Sequence, residues 1–157
     1  MARYVLVADG GQARVLRSSG RGGAVHLRET EKMERPSLHI AKRDMTSDIT
    51  GRVFSFAARG RGGRGRPVAT PHGAQSDFDP HAAEVARFAK AVSRKLDSLR
   101  RAGGVDEFVL LVEPRFLGLL RKEMTNVTRR LVTREIARDF VHADEKRIER
   151  AAFAAER

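Results

Sequence analysis

The sequence predicts an α/β domain built on a mixed sheet, with its elements in the order β-β-β-α-β-α-β-α. Three observations carry this expectation. Short β-type runs separated by glycine turns crowd the first 30 residues, a long stretch of helical periodicity begins after residue 79, and apolar runs alternate with helical ones from there to the end.

Tyr4-Val5-Leu6-Val7-Ala8 is a continuous apolar run that reads as a buried strand. Asp9-Gly10-Gly11 follows as a turn, because glycine accepts the positive φ that tight hairpins require. Ala13 to Arg17 returns as a second strand, and Gly20-Arg21-Gly22-Gly23 turns the chain into a third run, Ala24 to Thr30, in which Val25, Leu27 and Glu29 share one side. From Glu34 to Asp79 regular patterning fails. Pro36, Pro67 and Pro71, with RGRGGRGR at 59–66, predict a long Arg/Gly-rich insertion at 34–79 that is flexible and basic. It far exceeds the ~12 to 15 residues usual for a structureless loop.

Asp79-Pro80 is a helix start, since the Asp side chain caps the first turn and proline suits its first position. Val85, Phe88, Val92, Leu96 and Leu99 then fall at spacings of three and four and form one apolar face, up to an end at Gly103-Gly104. Phe108 to Val112 is a strand ending at Glu113-Pro114, and Phe116, Leu117, Leu119 and Leu120 belong to a second helix. Leu131 to Ile136 is the last strand and Asp144 to Ala155 a charged final helix. A three-strand meander followed by helix-linked strands places parallel neighbours beside an antiparallel half, with helices on both faces. This is the ribonuclease H-like plan, which carries nucleases, kinases and non-catalytic modules alike and leaves function open.

The length of 157 residues suits one domain, 1–157. Thirty-one Lys and Arg against 20 Asp and Glu give a formal charge of +11, which favours polyanionic partners and nucleic acid first among them. The absence of cysteine excludes disulfides, thiolate metal sites and cysteine nucleophiles. MARYVLVADGG has too short an apolar run for a signal peptide, and no segment approaches the ~20 apolar residues of a membrane span, so a soluble cytoplasmic protein without membrane insertion is expected.

Five segments carry a resemblance: YVLVADGGQARVL at 4–16, RDMTSDITGRVFSF at 43–56, EVARFAKAVSRKL at 84–96, VLLVEPRFLGLLRKEM at 109–124 and VTREIARDFVHA at 132–143. In this order they resemble the host attachment protein family of bacteria, EPRFLGLLR and EIARDFVH most specifically. The resemblance implies the ribonuclease H-like plan and a kinship with the bacterial relatives of the archaeal and eukaryotic peptide release factor. Its name implies a role in attachment to host cells, which without a secretion signal would be indirect; the basic charge and the kinship point towards RNA or the ribosome.

Release factors present a Gly-Gly-Gln on a long projecting loop, whereas Gly10-Gly11-Gln12 joins two strands directly, so the turn reading is preferred. Asp9, Glu84, Glu113 and Asp144 lie roughly where a ribonuclease H-like nuclease holds two metal ions. Each also has a simpler role as a turn, cap or helix-start residue. Among the histidines, His72 and His81 crowd with Asp77 and Asp79 before the first helix, without metal-ligand spacing. No metal or cofactor is implied.

The basic features are stronger. Between residues 35 and 72 eight Arg or Lys face two acids, and Arg59, Arg61, Arg64 and Arg66 form a glycine-spaced cationic strip of the kind that follows an RNA backbone. Arg87, Lys90, Arg94 and Arg101 line the helix opposite its apolar face, and Arg115 sits at the carboxyl end of a strand, where sites of α/β folds often lie. The sequence thus reads as a non-enzymatic RNA- or ribosome-associated factor. A metal-dependent nuclease and an interaction protein in host-cell attachment are the alternatives, and the oligomeric state is open.

Overall fold

The computed structural model describes residues 2–19, 25–37 and 79–154. Its strands are β1 (Ala2–Ala8), β2 (Gln12–Ser19), β3 (His26–Glu34), β4 (Val105–Val112) and β5 (Val132–Ala137). Its helices are α1 (Pro80–Ala102), α2 (Pro114–Glu123), α3 (Asn126–Arg130) and α4 (Glu145–Phe153). The strands form one mixed sheet in the order β3-β2-β1-β4-β5. β1, β2 and β3 pair antiparallel, whereas β4 lies parallel to both β1 and β5.

The two central strands are apolar on both sides and build two cores. Leu6, Ala8, Phe108, Leu110 and Val112 pack with Phe88, Val92 and Leu96 of α1 and Phe116, Leu117 and Leu120 of α2. Val5, Val7, Val109 and Leu111 point the other way, against Ile148, Ala152 and Phe153 of α4. The period-2 geometry of a strand makes this division unavoidable once both faces are covered.

Two threonines reset that alternation. Val15 pairs with Glu31 and Leu16 with Glu29, leaving Thr30 as the extra residue of a β-bulge, its hydroxyl donating to the Val15 carbonyl at 3.1 Å. Leu27 therefore packs on the α4 side and Met33 on the α1 side, although both have odd numbers. Thr133 does the same in β5: Phe108 pairs with Val132 and Val109 with Arg134. The third strand accordingly runs to Glu34, past the expected end at Thr30.

Between α2 and β5 the expected element order gains a short helix, α3. Thr125 caps it, accepting from the Thr128 amide at 3.3 Å. Its five residues hold too little apolar periodicity to be seen in the sequence.

The hairpin turn also differs from expectation. Among the described residues only Gly103 and Gly104 have positive φ, so Gly10 and Gly11 do not. The turn is held instead by the Asp9 carboxylate, whose Oδ1 accepts from the amides of Gly11 and Gln12, each at 2.7 Å. This is the Asx-type mechanism, in which a side chain replaces a backbone acceptor. Gly103, with φ 85° and ψ 166°, ends α1 in a region open essentially to glycine alone.

A polar knot joins α1 to the α2–α3 connection. Asp97 is only 7% exposed, and its Oδ1 accepts from Arg100 Nε at 3.1 Å, Arg100 Nη2 at 2.9 Å and the Thr128 hydroxyl at 3.0 Å. Its other oxygen pairs with Arg101 Nη2 at 2.6 Å. Ser93 adds a bond from its hydroxyl to the Glu123 carbonyl at 2.9 Å. On the opposite face Arg14 plays a comparable part. Its Nη1 donates to the carbonyls of Val141 and Ala143 at 3.0 and 2.8 Å, and its Nε pairs with Glu29 at 2.5 Å, tying the lead into α4 to β2 and β3.

The hydrogen bond from Arg100, which outweighs the opposing effect of burial, holds the Asp97 carboxyl below the usual aspartate range. A carboxyl lowered in the folded state contributes stability above its unfolded value of about 3.9, and that contribution is lost as pH falls through the lower folded value. Asp97→Asn should therefore lower Tm at pH 7 and reduce the further fall in Tm as pH drops below about 4; an acid profile parallel to the wild type would contradict this. For the turns, Asp9→Ala should cost about 1 to 2 kcal/mol in urea unfolding through its two lost bonds. Gly10→Ala, whose Cβ would meet Val85 at an ordinary 3.5 Å, should be nearly neutral. Gly103→Ala should cost about 1 to 3 kcal/mol although nothing lies within 4 Å of the added methyl, because the strain is in the backbone.

Candidate functional site

α1 divides its residues sharply. One face carries Phe88, Ala89, Val92 and Leu96 into the core, and the other exposes Arg87, Lys90, Arg94 and Arg101. Intervals of three, four and seven residues put these four cations in one stripe along the helix, about 21 Å long at 1.5 Å per residue. Asp97 pairs with Arg101 and neutralises it in part, although 71% of the Arg101 side chain remains exposed.

Beside the stripe runs a groove of about 510 Å³. Lys90, Arg94 and Arg101 line it along α1, Ser93 and Asp97 are its buried members, and Glu123 and Thr125 contribute from the far side. The knot at Asp97 thus fixes the groove's shape. A rigid row of cations at the edge of a shallow trough suits an extended polyanion, bound mainly through charge.

The other predicted site residues fall elsewhere. Arg115 is exposed at the start of α2, where its backbone amide donates to Glu113 Oε1 at 3.1 Å. Arg59, Arg61, Arg64 and Arg66, with His72, Asp77 and the rest of the expected insertion from 38 to 78, lie outside the described residues.

Three of the four carboxylates of the nuclease alternative are committed to backbone amides, and the fourth, Glu84, lies on α1. Asp9 holds the β1–β2 turn. Glu113 follows β4 beside it and caps α2 through the amides of Arg115 and Phe116 at 3.1 and 2.8 Å. Asp144 caps α4, accepting from the Arg147 amide at 2.7 Å, and so belongs to the opposite side of the sheet from Glu84 on α1. Among the described residues no group of three or more His, Cys, Asp or Glu could hold a metal ion. Parallel strands bring Asp9 and Glu113 to neighbouring ends, but capping demands draw their oxygens to backbone amides.

Sequence reasoning did not single out the groove's buried members. Ser93 and Asp97 sit inside a helical face otherwise made of apolar side chains, and an apolar pattern passes over them. Thr125 and Thr128 were a readable signal, because threonine followed three residues later by a second hydroxyl is capping chemistry. No helix among the described residues is long and apolar enough to cross a membrane.

Comparison with known proteins adds the identity of the family. A stretch of 83 residues is 34% identical to an uncharacterized protein of Rickettsia prowazekii (strain Madrid E), covering 49% of this chain and 55% of that relative, little more than half its length. The profile of a family described as "Protein required for attachment to host cells" matches residues 4–151, from the first strand of the sheet into α4. The chain belongs to this host attachment family.

Proposed function

We propose that the chain is a non-enzymatic interaction protein serving attachment to host cells, and that the exposed basic stripe of α1 is its contact surface for a polyanion. The observation that carries this reading is the family description, matched over nearly the whole chain. The stripe supplies the chemistry: four exposed cations in a row on a chain of net charge +11. Basic patches of this kind bind sulfated polysaccharides and nucleic acids through the same counterion release.

RNA is the second ligand of that chemistry, and the +11 charge favours it. The family description names attachment rather than translation, so the attachment reading leads. The strand order, with an antiparallel meander extended by two parallel strands, supports a ribonuclease H-like plan as the framework. Commitment of Asp9, Glu113 and Asp144 to backbone amides favours a binding role for this framework over a nuclease.

Replacing Arg87, Lys90, Arg94 and Arg101 together with Gln tests the reading. The quadruple variant should remain folded, because the four side chains are exposed, with Tm lowered only by the loss of the Arg101 contact to Asp97. Binding to heparin should weaken, and binding to single-stranded RNA should show a log-log salt slope flatter by up to about 3 units, at about 0.7 per lost contact. Bacteria carrying only the variant should attach less to host cells. Full attachment would overturn the assignment of the stripe, and loss of ribosome cosedimentation with attachment intact would favour the RNA reading.

A further inference from the structure

A second cavity, of about 360 Å³, lies between the end of β3 and the amino-terminal half of α1. Its apolar lining includes Met33 and Phe88, and its polar lining Arg35, Ser37, Glu84 and Arg87. Arg35 is the unusual member. The backbone there is fixed, since the Arg35 amide donates to the Gly11 carbonyl at 2.8 Å and so anchors the end of β3 to the β1–β2 turn. Only 8% of the residue is exposed. Nη1 lies 3.3 Å from His81 Nδ1, whereas Nε is buried without a hydrogen-bond partner. The Ser37 hydroxyl, in the same lining, is likewise buried and unpartnered.

A guanidinium stays protonated at any pH a protein survives, so Arg35 carries a full charge into the interior. A buried cation is strongly unfavourable unless an anion pairs with it, and an imidazole ring supplies none. Among the described residues no carboxylate forms an ion pair with it. Glu34 pairs with Lys32 at 2.8 Å, and Glu84 lines the pocket without reaching the guanidinium at ion-pair distance. Guanidinium edges receive carboxylates and phosphates side by side on two N–H groups, and here Nε–H is the free member of such an edge. Two nearby glutamates disfavour a doubly charged phosphate, and the apolar side chains suit a hydrocarbon body.

We propose that this pocket binds a small organic monocarboxylate, its carboxylate on Arg35 Nε–H and the Ser37 hydroxyl and its apolar body against Met33 and Phe88. The site is separate from the basic stripe and goes beyond the attachment reading. Arg87 alone belongs to both, at the pocket's exposed rim.

The test is titration of the full chain with benzoate, followed by the Arg35 Nε–H resonance and by Tm. Benzoate should shift that resonance saturably and raise Tm, whereas benzyl alcohol should do neither and phenyl phosphate should bind more weakly. Arg35→Gln should weaken benzoate binding by about tenfold or more while leaving heparin binding in place. Where Arg35→Gln fails to fold, Ser37→Ala should still weaken benzoate binding. The triple substitution Lys90→Gln, Arg94→Gln and Arg101→Gln should keep benzoate binding and weaken heparin binding, which separates the two sites. An unshifted Arg35 Nε–H resonance, an equal response to benzyl alcohol or a preference for phenyl phosphate would each overturn the proposal.

Discussion

Burial of β1 and β4 on both faces is the constraint from which the rest of the architecture follows. These parallel neighbours present Leu6, Ala8, Leu110 and Val112 to one side and Val5, Val7, Val109 and Leu111 to the other. Each face needs a helical cover, because either one left in water would forfeit several side chains' worth of burial at about 1.5 to 3 kcal/mol each. α1 and α2 cover one face and α4 the other. The outer strands are less apolar and meet the same demand through the bulges at Thr30 and Thr133, which turn Met33 and Ile136 towards whichever core is nearer.

This constraint also leaves the outer face of α1 open to the polyanion contact proposed for it. Its apolar face is occupied by the core and its registration against α2 and α3 is set by the Asp97 knot, in which Arg101 is the one member of the basic stripe to take part. Charge can accumulate there without loss of packing. Arg14 and Arg134 show the opposite use of the same residue type. Arg14 is spent on the carbonyls of Val141 and Ala143, and Arg134 Nη1 donates to the Ala152 carbonyl at 2.7 Å, so neither contributes to the free cationic surface. Net charge alone therefore overstates the binding surface; exposure and partners decide which arginines are available.

The parts legible in the sequence are those governed by period and punctuation. The apolar runs of β1 and β4, the three-and-four spacing of Val85 to Leu99, and the stops at Gly103 and Pro114 translate directly into elements. The basic stripe was readable for the same reason, since a helix with one apolar face places its cations on the other. What could not be read depends on contacts between distant segments. Asp97 looks like any helical acid until Thr128 and Thr125 fold against it, 31 and 28 residues away. Arg35 looks like part of a basic loop until the turn carbonyl of Gly11 draws its backbone inward. The Asp-Gly-Gly turn forms at the expected place, held by the Asp9 carboxylate and not by glycine at positive φ. Asp and Gly both favour turns, and composition alone does not say which of them holds this one.

We propose that α1 offers one face to the fold and the other to a polyanionic partner. Chemical-shift mapping of the isotope-labelled full chain with short heparin oligosaccharides tests it most directly. Saturable shifts are expected at Arg87, Lys90, Arg94 and Arg101 and along the neighbouring Glu123–Thr125 edge, with α4 and its lead at 138–144 unmoved. Shifts concentrated on α4, or distributed evenly over every exposed arginine, would contradict it.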